Sequence, residues 1–143
     1  MKTDDRLIYQ ILMAQQKLRT YITKTLLSEG ISITLVQAGI LFILQRDDGR
    51  TMTELSKILA VKNPTLTRLI DRLEGAAFVT RSTSKKDRRT IRIYITPEGS
   101  QECERAKPII KRVNEEIKSG FSKEEIEVFK RVLSSVIQKF TPR

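Results

Sequence analysis

Two short helical patterns lie only two residues apart, and straight after them the hydrophobic period changes from that of a helix to that of a strand. Leu55, Ile58 and Leu59 mark one side of the first pattern, and Leu66, Leu69, Ile70 and Leu73 one side of the second. Steps of three and four residues put side chains on a single helical face. Between the patterns, Val61-Lys62 leaves room only for a tight turn. Asn63-Pro64 then predicts a helix start, with Asn as the N-cap and Pro in the first helical position. Two short helices joined this closely have helix-turn-helix geometry. Phe78-Val79-Thr80-Arg81 and Ile91-Arg92-Ile93-Tyr94-Ile95 follow as strands, the second alternating isoleucine with polar or amphipathic residues. The loop between them, Ser82 to Thr90, is long for a hairpin, and compact domains rarely keep such a loop without a use for it. The expected fold is mainly α with a small β-hairpin wing, a winged helix-turn-helix.

Other helices flank this region. Leu7, Ile8, Ile11, Leu12, Leu18, Ile22 and Leu26 predict a long amphipathic first helix closed by Gly30. Thr34 to Gln37 is a capping-box pattern opening a second helix that runs towards Gln45. Arg46-Asp47-Asp48-Gly49-Arg50 reads as a polar turn, and Thr51 to Glu54 repeats the capping box before the third helix. Thr96-Pro97-Glu98 opens a fifth helix with Gly120 as its stop, and Pro108 inside it predicts a kink or a broken hydrogen bond. Ser122 to Glu125 is a further capping box, followed by Ile126, Phe129, Leu133, Val136, Ile137 and Phe140 on one stripe. The 143 residues fit one domain, 1–143, in which 34–96 form the winged helix-turn-helix and 1–30 and 97–143 are helical flanks. Apolar stripes on the first and sixth helices exceed what a small winged helix needs for its own core. A subunit interface is one reading, and intramolecular packing the other.

Charge is unevenly placed. The chain holds 27 Lys and Arg against 17 Asp and Glu, a formal net charge of +10, which favours a polyanionic partner. From Arg81 to Arg92 the hairpin carries Arg81, Lys85, Lys86, Arg88, Arg89 and Arg92 against the single acid Asp87. Cations concentrated there suit phosphates lying beneath the wing, although a charged loop that keeps an edge hairpin soluble has the same composition. The second helix of the pair presents Asn63, Pro64, Thr65, Thr67, Arg68 and Arg72 on its outward side. Small hydroxyl residues early in a helix, with arginine a turn later, suit a helix whose N-terminal end enters the major groove. There Arg68 can hold guanine O6 and N7 through a bidentate fork. The competing reading is an exposed surface on which Arg68 or Arg72 pairs with Asp71 or Glu74.

Taken in order, these residues resemble the multiple antibiotic resistance regulator (MarR) family of winged-helix transcription factors. The resemblance runs through Thr34 to Gln37, Leu41, Leu44, Leu55 to Leu59, Thr67-Arg68-Leu69-Ile70-Asp71-Arg72-Leu73-Glu74, Val79, Arg81, Asp87-Arg88-Arg89 and Thr96-Pro97-Glu98-Gly99. It implies a homodimer joined by its first, fifth and sixth helices, with 1–30 and 97–143 as dimerisation helices and each recognition helix in a major groove of a pseudo-palindromic duplex site. By the same resemblance, Arg89 enters the minor groove and Asp87 orients the wing; a narrow minor groove concentrates negative potential. A repressor whose DNA binding is modulated by a small-molecule effector is expected. The chain departs from the family at Gly75-Ala76-Ala77, where a basic or polar pair followed by Gly is usual. This predicts a turn starting two residues early and leaves the length of the recognition helix and the tilt of the wing open.

Several classes of function are disfavoured. The chain has no histidine, no glycine-rich phosphate loop and no nucleophile beside a recognisable base, so neither an enzyme nor a cofactor or metal site is expected. The single cysteine, Cys103, precludes an intrachain disulfide and a thiolate zinc cluster, which fits a cytoplasmic setting. Cys103 reads as a small packing residue, with a thiol sensor as the alternative because Arg105 and Lys107 lie nearby in sequence. The start is polar and no signal peptide is expected. The longest apolar run, Ala38 to Leu44, falls far short of the roughly 18 to 20 residues that span a bilayer, so no membrane partner is expected. The rival to DNA binding is a protein-interaction module in which the winged helix docks on an acidic protein.

Overall fold

A computed structural model describes residues 6–83 and 89–142. In chain order the elements are α1 (Leu7–Ser28), α2 (Leu35–Arg46), β1 (Arg50–Thr51), α3 (Met52–Leu59), α4 (Asn63–Gly75), β2 (Val79–Thr83), β3 (Ile91–Ile95), α5 (Pro97–Lys118) and α6 (Lys123–Lys139). They fall into two compact units, one up to Ile109 and the other from Ile110 onward.

In the first unit, α1 ends as its sequence directs. Gly30, at φ +77°, takes the left-handed position of a Schellman motif, with Ile31 N–H donating to Leu26 O at 2.9 Å and Gly30 N–H to Leu27 O at 3.0 Å. The Thr34 capping box forms in full: Gln37 N–H donates to the Thr34 hydroxyl at 3.1 Å and Thr34 N–H to the Gln37 amide oxygen at 2.8 Å. Gln37 is buried by this service. The core is built from Leu26, Ile31, Ile40, Leu41, Leu44, Leu55, Leu66, Ile70, Leu73, Val79, Ile93 and Cys103, drawn from every element of the unit except the short β1. Burying a leucine or isoleucine of this kind contributes roughly 1.5–3 kcal/mol.

The hairpin is part of a three-stranded antiparallel sheet in the order β1-β3-β2. Arg50 and Thr51, expected in a turn and a helix cap, pair with Ile93 and Arg92 of β3. Thr51 still caps α3, its hydroxyl accepting from Glu54 N–H at 3.1 Å. On the other side, β2 pairs Val79 with Ile95, Arg81 with Ile93 and Thr83 with Ile91. The ladder therefore reaches further towards the tip than the expected Ser82–Thr90 loop allows. The buried Val79 and Ile93 fasten the sheet to the core.

α5 opens on Thr96, whose hydroxyl accepts from Gly99 N–H at 2.9 Å and donates to Ala77 O at 2.6 Å, while Thr96 N–H donates to Phe78 O at 3.0 Å. A Cβ on Gly99 would lie 2.1 Å from that Phe78 carbonyl oxygen, so only glycine permits the approach. Pro108 does not end α5, which is assigned continuously to Lys118. The second unit contains the end of α5, a turn with Gly120 at φ +88°, and α6, opened by the expected Ser122 capping box. No residue of α6 is buried.

Candidate nucleic-acid interface

The turn between α3 and α4 is held by backbone and one hydroxyl. Ala60 adopts the left-handed conformation at φ 53°, Val61 N–H donates to Ser56 O at 3.1 Å, and the Ser56 hydroxyl donates to Val61 O at 2.6 Å. α4 then starts one residue earlier than Asn63-Pro64 implied. Lys62 is the N-cap, its carbonyl accepting from Leu66 N–H at 2.9 Å, and Asn63 is already helical. A lysine side chain has no acceptor, so no side-chain cap bond forms. The early amide donors of α4 are thereby left without a side-chain cap, a favourable end for an anion.

Leu66, Ile70 and Leu73 bury one face of α4, while Asn63, Pro64, Thr65, Thr67, Arg68 and Arg72 are all exposed. The structure thus brings the six expected recognition-helix residues onto the solvent side of one 13-residue helix. Lys62 is exposed beside them. Sequence reasoning passed over it, although its place directly before Asn63-Pro64 was the available signal.

Electrostatic pairing across this surface does not follow the competing reading of an ion-paired helix face. Asp71 and Glu74 do not pair with Arg68 or Arg72. They pair with Arg81 on β2, whose Nη2 lies 2.5 Å from Asp71 Oδ1 and whose Nη1 lies 3.3 Å from Glu74 Oε1. Among the described residues Arg68 and Arg72 have no hydrogen-bond or ion-pair partner. Arg81, expected to meet DNA from the wing, ties the wing to the recognition helix. Arg92, counted in the same basic hairpin, donates from Nη1 to Gly49 O at 2.8 Å and braces the loop before β1. Asp48 completes that brace by accepting from Ile95 N–H at 2.9 Å. Arg89 is exposed just before β3 and has an interaction of its own. Lys85, Lys86, Asp87 and Arg88 lie outside the described residues.

The segment Gly75-Ala76-Ala77 does not shorten α4, which runs through Gly75. Phe78 N–H donates to Leu73 O at 2.8 Å and Ala77 N–H to Glu74 O at 2.9 Å, the two bonds of a Schellman motif with Ala77 at φ 64° in the left-handed position. The expected early turn is therefore corrected: alanine bears the strain that glycine would avoid, and the helix keeps its length.

Cys103 is fully buried, and desolvation pushes its thiol up to about 11 against the opposing pull of Lys107. Such a thiol holds almost no thiolate near neutral pH, which favours the packing role over the sensor. Among the described residues no group of three or more His, Cys, Asp or Glu is placed to hold a metal ion. Among the same residues, no helix is long and apolar enough to cross a membrane.

The MarR family model matches residues 33–91, the stretch that contains α2, the helix-turn-helix and the start of β3. Over that stretch the chain is similar to the MarR family. Solved structures agree with that over nearly the whole length. MepR from S. aureus, in a DNA complex, is 25% identical over 94% of this chain and 98% of its own, with a TM-score of 0.87. A MarR mutant from E. coli, complexed with operator DNA, is 25% identical over 93% of this chain and 94% of its own, with a TM-score of 0.83. BpsR of Bordetella bronchiseptica, whose DNA binding is regulated by 6-hydroxynicotinic acid, shares the fold at 18% identity, covering 95% of this chain and 96% of its own with a TM-score of 0.86. The fold is shared with solved transcriptional regulators. In this chain, the exposed side of α4 and the sheet beside it form the candidate interface.

Proposed function

We propose that this chain is a MarR-family DNA-binding transcriptional regulator, not an enzyme, acting in the cytoplasm as a homodimer on pseudo-palindromic duplex sites. The observation that carries the reading is the exposed side of α4. Two arginines whose side chains have no partner among the described residues stand there with two threonines, and the N-terminal end of the helix lacks a side-chain cap. Guanidinium forks reach guanine edges or phosphates, hydroxyls reach either, and the helix dipole favours phosphate at the N-terminus. Asn63, Pro64, Thr65, Thr67, Arg68 and Arg72 are assigned to the major groove, and Arg89 with its neighbours Lys85, Lys86, Asp87 and Arg88 to the wing contact with the minor groove. In this scheme 34–96 bind DNA and 1–30 with 97–143 form the dimer. The DNA complexes of MepR and MarR support the duplex as ligand. Regulation of BpsR by 6-hydroxynicotinic acid supports repression relieved by a small molecule.

Selection of bound sites from random duplexes tests this reading. Two inverted half-sites with centres about 10 base pairs apart, or a multiple of that, are expected. The Arg68→Ala variant is expected to change the preferred bases within each half-site as well as to bind more weakly. A pool that shows no enriched sequence, or an Arg68→Ala variant that enriches the wild-type sequence unchanged, contradicts it.

A further inference from the structure

The two acids of the recognition helix are both claimed by one residue outside it, and that pairing decides what the helix can offer to DNA. Asp71 stands three residues after Arg68 and next to Arg72, and Glu74 two residues beyond Arg72. Positions three apart on a helix surface are within ion-pair reach, so Arg68 and Asp71 are spaced to neutralise each other. They do not. The Arg81 guanidinium bridges Asp71 and Glu74 from β2, and among the described residues neither Arg68 nor Arg72 has a partner.

We propose that Arg81 is a positioning residue that pairs with Asp71 and Glu74 from the neighbouring strand, so that Arg68 and Arg72 stay free for phosphates and base edges. This rests on the DNA-binding reading given above. Arg81 wins the competition for physical reasons. It is held by the strand ladder opposite Ile93, its side chain is only 30% exposed, and its planar fork meets two carboxylates one helical turn apart. A flexible, exposed arginine on the same helix gains little from pairing with an exposed acid. Without Arg81, the two carboxylates would cancel the positive charge of Arg68 and Arg72 and repel an approaching phosphate backbone. The wing thus sets the charge of the recognition helix as well as supplying contacts of its own.

A double-mutant cycle on duplex binding tests the assignment, using a selected site and fluorescence anisotropy at fixed salt. Arg81→Ala is compared with the wild type, each with and without the pair Asp71→Asn and Glu74→Gln. Arg81→Ala alone should weaken binding about tenfold and flatten the salt dependence, since fewer phosphates are then neutralised. Removing the acids should restore most of that affinity in the Arg81→Ala background. It should give at least about fivefold less gain where Arg81 is kept, because the acids there are already paired with it. Equal gains in both backgrounds mean that Arg81 acts independently of the acids, and overturn the proposal while leaving the DNA reading intact. A wild-type protein that binds no duplex at low salt overturns both. If Arg81→Ala melts below the assay temperature, Arg81→Lys replaces it, since an ammonium lacks the planar fork that spans both carboxylates, and the same comparison decides.

Discussion

Ala77 occupies a backbone position that alanine tolerates poorly. At φ 64° its Cβ crowds the following carbonyl, which costs an L-residue roughly 1–2 kcal/mol. Gly30 fills the equivalent place in the Schellman motif that closes α1 without this cost. Ala77→Gly is expected to stabilise the protein by about 0.5–1 kcal/mol, after allowing for the greater freedom glycine has when unfolded. Thermal melting should report a midpoint roughly 2 °C higher, and a lower midpoint would show that Ala77 is not strained. The sequence departure at Gly75-Ala76-Ala77 was visible, but its consequence was not. Whether a glycine-poor helix end shortens or pays in strain depends on which carbonyls the next residues reach, and Leu73 and Glu74 were within reach of Phe78 and Ala77.

At the scale of elements, the legible parts were those with a repeating period or a local cap. The helix-turn-helix, the Thr34 and Ser122 capping boxes and the two wing strands all carry such signals, and each forms, with the start of α4 and the ends of β2 shifted by one or two residues. β1 was not legible, because a two-residue strand has no period and exists only through its pairing with β3. Nor was the role of Arg81, since an ion pair across ten residues of sequence depends on the angle between strand and helix. The same limit hid the cluster around β1, where Arg50 Nη1 donates to Glu54 Oε2 at 2.6 Å and its Nη2 pairs with Asp47. The hydrogen bond from Arg50 is the main reason that the Glu54 carboxyl sits below its ordinary value of 4.5. A carboxyl depressed in the folded state stabilises fully above its unfolded value, and that contribution is lost as pH falls through the folded value. Below about pH 4.5 the melting temperature of the wild type should therefore fall more steeply than that of Glu54→Gln. Parallel curves would show that the Arg50–Glu54 bond contributes nothing in solution.

On the scale of the whole molecule, each unit leaves an apolar face uncovered. In the first, Leu7, Ile8, Ile11 and Leu12 of α1 are 44–71% exposed; in the second, Phe129, Val132, Ile137 and Phe140 are 49–79% exposed. The second unit also has an apolar groove of about 740 Å³ lined by Ile117, Phe121, Val128 and Phe129 among others. Exposed apolar surface on this scale marks an interaction site, and it lies within the segments 1–30 and 97–143 for which we propose dimerisation. Sedimentation at micromolar concentration should therefore give a dimer, and a monomer there would contradict the two-half-site scheme. The central claim, that the molecule grips duplex DNA through its cationic recognition helices and wings, is tested most directly by the salt dependence of duplex binding. A dimer neutralising on the order of eight phosphates gives a slope of log K against log salt of roughly −7. A flat response, with no duplex bound even at low salt, would contradict it.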